Sequence, residues 1–229
     1  MKRYFIVLLY LFLVIYSTPS LANLTVSKAI INFSDNSPPR QDLEVKNNDT
    51  NTLYVTVKAF QVQSPESDQA KEIELNNPID AGLLVSPARL VIPPGQSKLV
   101  RVIVRKKATK KDLIYRVAIT PTIGKIKSEE QFALKVMIAY KVLVIVQPPA
   151  AQADLQVKRV GETLVFTNHG NTNVLIRKIK QCNERKTDCV ELNGNRLYSG
   201  EQWIVNLPYK GMPVETYQTV GSEHFSREY

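Results

Sequence analysis

The chain has 229 residues, 44% of them hydrophobic, with 30 lysines and arginines against 21 acids and a formal charge of +9. That length holds one large domain or two of ordinary size. The basic excess suits nucleic acid, an anionic surface or acidic protein partners. The isolated His169 and His224, and two cysteines with no third ligand nearby, argue against a metal site.

Lys2 and Arg3 precede an almost unbroken apolar run from Tyr4 to Tyr16, and Thr18-Pro19 leads into Ser20-Leu21-Ala22. This is the pattern of a secretory signal peptide spanning residues 1–22 and cleaved after Ala22. A membrane anchor would need about 20 apolar residues, and the run is shorter. Export removes Lys2 and Arg3, which lowers +9 to +7, and sets nucleic acid aside as a partner. In an oxidising compartment Cys182 and Cys189, with six residues between them, read as one disulfide closing a short loop.

Beyond residue 22 the sequence reads as strands. Apolar residues alternate at period two in Leu24-Val26, Leu43-Val45, Leu53-Val55-Val57, Leu99 to Val104, Leu113 to Ile119 and Leu164-Phe166. Turn signals separate them: Asn47-Asn48-Asp49, Asn76-Asn77-Pro78, Pro93-Pro94-Gly95, Gly124, Gly161, Gly170 and Asn193-Gly194. No long window carries a helical stripe. The pattern predicts an all-β chain of two immunoglobulin-like β-sandwich domains. Pro148-Pro149-Ala150-Ala151-Gln152-Ala153 interrupts it as a stiff linker, dividing the chain into 23–147, 148–153 and 154–229. The second domain is small, and the cysteine staple compensates for its limited core. Trp203, the single tryptophan, is expected in that core.

Gln131 to Gln147 stands apart as seventeen residues without glycine or proline. Fully extended, they would reach about 56 Å, longer than one small sandwich covers. Phe132, Leu134, Val136, Ile138, Tyr140 and Val142 share one face, and Gln131, Ala133, Lys135, Met137, Ala139 and Lys141 the other. Two readings stand side by side. The run is a central core strand, which suits Tyr140 to Val146. Alternatively, its first half lies at a sheet edge, offering free backbone groups and four large apolar side chains to another protein. Burying those four is worth roughly 6–12 kcal/mol before association costs.

Several fragments resemble the periplasmic pilus (fimbrial) chaperones of the chaperone–usher pathway. They are Ser86-Pro87-Ala88-Arg89-Leu90-Val91-Ile92-Pro93-Pro94-Gly95-Gln96-Ser97-Lys98-Leu99-Val100-Arg101, then Tyr115-Arg116-Val117, and Thr167-Asn168-His169-Gly170-Asn171. In this order, behind a signal peptide and before a long alternating strand and a proline linker, they cover essentially the whole exported chain. The resemblance implies a non-enzymatic periplasmic protein, without cofactor, that binds, folds and caps pilus subunits and delivers them to an outer-membrane usher. It implies that Phe132, Leu134, Val136 and Ile138 are donated to the subunit as a strand. It also implies that the two domains stand at an angle with a cleft between them, where Lys28, before Ala29-Ile30-Ile31, and Lys141 grip the subunit's C-terminal carboxylate. An uncovered strand would also let the free chain self-associate.

The chain departs from the usual pattern in three places. Lys stands where Arg is commoner at position 28, Val144-Ile145-Val146-Gln147-Pro148 replaces an aromatic-basic-proline ending, and the short second domain carries a disulfide. These point to a non-classical branch, alternative or archaic.

Gly-x-Ser-x-Gly, a phosphate-cradling glycine loop and His-Glu-x-x-His are all missing from the sequence. The basic cluster Arg105-Lys106-Lys107 with Lys110-Lys111 reads as a solvated loop, with an anionic lipid or assembly surface as the other possibility. Two rival functions remain. A pilus subunit or adhesin should be one incomplete domain with an N-terminal donor extension. An envelope carbohydrate- or protein-binding module should expose aromatics beside carboxylates.

Overall fold

The computed structural model describes residues 23–77, 81–122, 137–221 and 223–229. No helix occurs among them. The strands before the proline linker are β1 (Leu24–Val26), β2 (Ile30–Phe33), β3 (Arg40–Asn47), β4 (Leu53–Gln63), β5 (Lys71–Glu74), β6 (Leu83–Ser86), β7 (Arg89–Ile92), β8 (Ser97–Val104), β9 (Leu113–Thr122) and β10 (Tyr140–Val146). After it come β11 (Leu155–Val160), β12 (Thr163–Asn168), β13 (Val174–Cys182), β14 (Cys189–Leu197), β15 (Gln202–Asn206), β16 (Val214–Val220) and β17 (Glu223–Glu228).

Each group forms a sandwich because period-two alternation gives a strand one oily face, which only a second sheet can cover. In β4, Leu53, Val55, Val57 and Ala59 are buried, while Tyr54 and Lys58 between them are exposed. One sheet runs β1-β3-β8-β6. The facing sheet runs β2-β10-β9-β4-β5, with β7 also paired to β4. Their inward residues, among them Leu43, Val57, Val100, Val117 and Val144, make the first core. The second sandwich packs β11-β12-β15 on β14-β13-β16-β17 around Leu164, Phe166, Ile176 and Ile179. Trp203 stacks on Phe166 with centroids 5.3 Å apart and packs, partly buried, at the edge of this core rather than inside it.

The chain changes sheet within a few residues. β1 pairs antiparallel with β3, and after the bend at Ser27–Ala29 β2 pairs parallel with β10. The turn read at Pro93-Pro94-Gly95 joins β7 to β8, with Gly95 in the left-handed region at φ 69°, where a Cβ would be strained. Gly170 has a different reason. A Cβ there would collide with the backbone of Gln152, Ala153 and Asp154, so glycine lets the turn after β12 lie against the segment leaving the first sandwich.

One turn reading fails. Asn193-Gly194 lies inside β14, not between strands. The register between β13 and β16 shifts between Ile176 and Lys178, and the backbone of Ile176 and Arg177 comes so close that no Cβ fits at Gly194. The glycine marks an irregular, close strand pairing, a role local sequence does not distinguish from a turn. Gly124 lies outside the described residues.

Cys182 and Cys189 are bonded and directly opposed in the β13–β14 ladder. They staple the mouth of a hairpin whose loop is otherwise tied by Asn183, which accepts from the Thr187 backbone N–H at 2.9 Å. Closing so short a loop restrains the unfolded chain by about 2 kcal/mol. The Cys182→Ser/Cys189→Ser double variant is therefore expected to lose about that much stability, read in urea unfolding. Mass spectrometry of periplasmic material should find the pair oxidised; free thiols there would contradict it.

Candidate functional site

β10 is buried on both faces, and the two faces do different work. Tyr140, Val142, Val144 and Val146 point into the first core, where Tyr140 Oη also donates to the Leu24 carbonyl at 2.8 Å. Lys141, Leu143 and Ile145 share the opposite face. Strand register continues this outward face across the sheet. Lys141 lies beside Ala118 and then Lys58, Leu143 beside Arg116 and then Phe60, and Ile145 beside Ile114 and then Val62. Ile114, Leu143 and Ile145 form a small buried apolar cluster against which Val62 and Tyr198 pack. Tyr198 follows β14, so this face meets the second sandwich.

Lys141 sits on that face one step beyond the apolar seam, its side chain 58% exposed. Its Nζ donates to Glu72 Oε2 at 2.7 Å and stands 6.0 Å from the Phe60 ring centroid. Lys28 is exposed and donates to Gln41 Oε1 at 3.2 Å. The parallel ladder aligns Leu143 with Ile30, and the Leu143 N–H donates to the Ala29 carbonyl. Lys28 and Lys141 each stand two residues before the first pair of that ladder, Lys28 in the bend that precedes β2 and Lys141 on β10. Their ammonium groups hold different partners, one on β3 of the facing sheet and one on β5.

Of the row proposed for donation, Phe132, Leu134 and Val136 lie outside the described residues. Ile138 is described and 42% exposed. Met137, Ile138 and Ala139 carry no strand pairing, so the strand among the described residues begins at Tyr140. Met137 packs in part against the first core.

Sequence reasoning missed the polar link across the seam. Asp112, 9% exposed, precedes β9 and accepts from the Asn173 backbone N–H at 2.8 Å, Asn173 Nδ2 at 2.7 Å and Thr172 Oγ1 at 3.0 Å. Gln147 Nε2 adds a bond to Thr172 Oγ1 at 3.1 Å. Asn173 Oδ1 in turn accepts from the Arg196 guanidinium. Burial raises the Asp112 carboxyl above its ordinary range, and the bonds from Asn173 and Thr172 pull it back. Next to Lys110 and Lys111, Asp112 reads locally as one more loop charge, and nothing nearby in the chain announces its partners some 60 residues on.

The basic loop is solvated and partly ion-paired. Lys107 lies 3.9 Å from Asp35, and Lys111 3.2 Å from Glu66. Exposed pairs of this kind contribute little. No cluster of three metal-holding side chains occurs among the described residues, and no described helix is long and apolar enough to cross a membrane.

Two β-sandwiches joined through such a seam have the fold of pilus chaperones. The chain matches the crystal structure of a class 5 fimbriae chaperone, CfaA, with a TM-score of 0.63 at 20% identity, over 90% of this chain and 98% of that one. It matches the CsuC–CsuE chaperone–tip adhesion subunit complex of Acinetobacter baumannii, also with a TM-score of 0.63, at 11% identity over 90% and 98% of the respective chains. Residues 27–147 match the family of the CS5 fimbrial protein N-terminal domain, and the chain belongs to that family. In sequence it is similar to a CS1 fimbrial subunit of Escherichia coli, 26% identical over 175 residues, 70% of this chain and 71% of that protein.

Proposed function

We propose that this protein is a periplasmic chaperone that captures pilus subunits by lending them an apolar strand and gripping their chain end, and then hands them to an outer-membrane usher. The observation that carries this reading is the two-sandwich chaperone fold, which spans 90% of the chain and 98% of CfaA. Family membership and the alternating sequence before β10 support it. The period-two row of Tyr140 and Val142 continues in sequence through Ile138 to Val136, Leu134 and Phe132, the row a subunit would accept, and Ile138 is exposed. Export through residues 1–22, and division at 148–153 between units 23–147 and 154–229, belong to the same reading. So do a chaperone's lack of enzymatic activity and the pairing of a free chain with a second copy to cover its strand.

The sequence relative carries the name of a fimbrial subunit, which favours a second reading, a structural subunit of the pilus. The two readings separate in one experiment. Tagged protein purified from the periplasm of cells making the corresponding pilus should bring down a subunit in one-to-one ratio and be missing from sheared pili. Its appearance within the fibre would replace the chaperone reading with the structural one.

Lys28 and Lys141 are proposed as the grip, since two exposed ammonium groups close to the β2–β10 ladder can hold one carboxylate by charge-assisted hydrogen bonds. Lys28→Ala and Lys141→Ala are each expected to cut the recovered complex about ten-fold. Free-chain stability should change by less than about 1 kcal/mol, because both side chains are exposed. Wild-type recovery from both variants would rule out the grip.

A further inference from the structure

Three strands of the first sandwich stop around one cavity, β2 and β10 in one sheet and β8 in the facing one. Val146 closes the parallel ladder opposite Phe33, and Val104 is the last residue of β8. Past these ends, loops 34–39 and 105–108 have to cover the inward side chains. From the second loop Ala108, 1% exposed, contributes only a methyl group. A cavity of about 290 Å³ remains, walled by Phe33, Val104, Ala108 and Val146. An apolar cavity of about 150 Å³ holds a benzene ring, so this one has room for about a dozen carbons.

The mouth of this cavity is charged. Arg105, Lys107 and Asp35 line it beside the apolar walls, and all three are exposed. Lys107 Nζ stands 3.9 Å from Asp35, beyond hydrogen-bond distance, and its side chain is 81% exposed. With Lys106 adjoining in sequence, positive charge outweighs the one acid. The backbone at the mouth is already paired. The Val104 N–H donates to the Pro39 carbonyl at 2.8 Å, the Gln147 N–H to the Phe33 carbonyl at 2.8 Å, and the Ser37 N–H to the Ser34 carbonyl at 3.1 Å. A visiting peptide strand would find these groups taken, whereas strand addition needs open ones. An apolar interior under cationic side chains suits instead a ligand with a hydrocarbon tail, no amide backbone and a negative head.

We propose that this end of the first sandwich binds a single-chain anionic amphiphile, its tail in the cavity and its carboxylate or phosphate head on Lys107 and Arg105. The basic cluster is then the rim of a pocket as well as a solvated loop. The site stands apart from the apolar row before β10 and from Lys28 and Lys141, and it does not rest on reading the chain as a chaperone. A fatty acid and a single-chain phospholipid share this chemistry and differ in the head.

Binding is read on the exported chain by NMR of the Val104, Ala108 and Val146 methyl groups, as sodium alkanoates from butanoate to tetradecanoate are added below micelle formation. Each added methylene is expected to tighten binding about four-fold, and the gain to stop at about twelve carbons, when the cavity is full. Octanoate should bind more tightly than octanol, and octylammonium most weakly. Octyl phosphate binding above octanoate would assign the head to a phospholipid, and the reverse order to a fatty acid. Lys107→Glu should weaken octanoate about five-fold and leave octanol within about two-fold, because the exposed side chain meets only the head. Ala108→Leu should shorten the chain at which the gain stops. The chain-length and head-group series need no variant, so they decide the proposal even if Ala108→Leu unfolds. A gain that continues to tetradecanoate, equal binding of octanoate and octylammonium, undiminished octanoate binding by Lys107→Glu, or shifts centred on exposed Ile138 or Ile204 would each overturn the site.

Discussion

Leu134→Asp is expected to lower recovery of a pilus subunit with this protein by a hundred-fold or more, roughly, while leaving the free chain folded. Leu134 stands in the middle of the apolar row Phe132, Leu134, Val136 and Ile138. If that row fills a groove in an unfinished sandwich, the substitution removes about 2–3 kcal/mol of apolar transfer and buries a carboxylate with no partner. Either loss alone exceeds the 1.4 kcal/mol that makes a ten-fold change. A one-residue slip does not rescue the complex, because it turns every apolar side chain of the row away from the groove. The free chain should keep its stability within about 0.5 kcal/mol, as for a surface change. Both are measured together, by periplasmic co-purification and by thermal unfolding of the free variant. Unchanged co-purification would eliminate strand donation. Gross unfolding of the variant would mean instead that this row belongs to the protein's own core.

The second large effect is expected at Asp112. Asp112→Ala leaves the Asn173 backbone N–H, Asn173 Nδ2 and Thr172 Oγ1 without their acceptor in a buried seam. It also frees the side chain that holds Arg196. Orphaned buried donors cost about 1–3 kcal/mol each before water reaches them, so a loss of about 3 kcal/mol is expected. Its form is diagnostic. The link joins residues on either side of the proline linker, so urea unfolding followed at Trp203 for the second sandwich should separate from unfolding of the first. A single, undisplaced transition would show that the apolar contact of Tyr198 alone couples the two halves.

The same residue sets a pH dependence. Burial, the dominant influence, raises the Asp112 carboxyl in the folded chain above 3.8. The folded state therefore binds this proton more tightly than the unfolded state. The contribution is fully present below 3.8 and is lost as pH rises through the higher folded value. Asp112→Asn cannot titrate. The stability of wild type relative to Asp112→Asn is accordingly expected to grow on acidification through that window, and a flat difference would show that the hydrogen bonds cancel the burial.

Much of the fold is legible residue by residue. Leu53-Val55-Val57 alternate and are buried in alternation in β4, and Pro93-Pro94-Gly95 turns the chain because Gly95 takes a positive φ. The cysteines pair because six residues of hairpin bring them face to face. These are local properties, set by the strand period and by backbone sterics. Lys141 was legible too, as a charge inside an apolar run.

What stayed hidden depends on neighbours distant in the chain. The sequence around Gly194 reads as a turn. Only the bulge between Ile176 and Lys178, on a strand already passed, shows that a close backbone approach requires the glycine. Nothing near Arg116 says that no acid pairs with it among the described residues, because Glu72 and Glu74 on its face come from β5 and are taken by Lys141 and Lys58. Asp112 and its acceptor duties were equally silent, since its donors follow the linker. Period and sterics act within a few residues and are written in the order of the chain. Charge pairing and burial act through space, so only the packing of one sandwich on the other decides which groups are satisfied and which are left to bind.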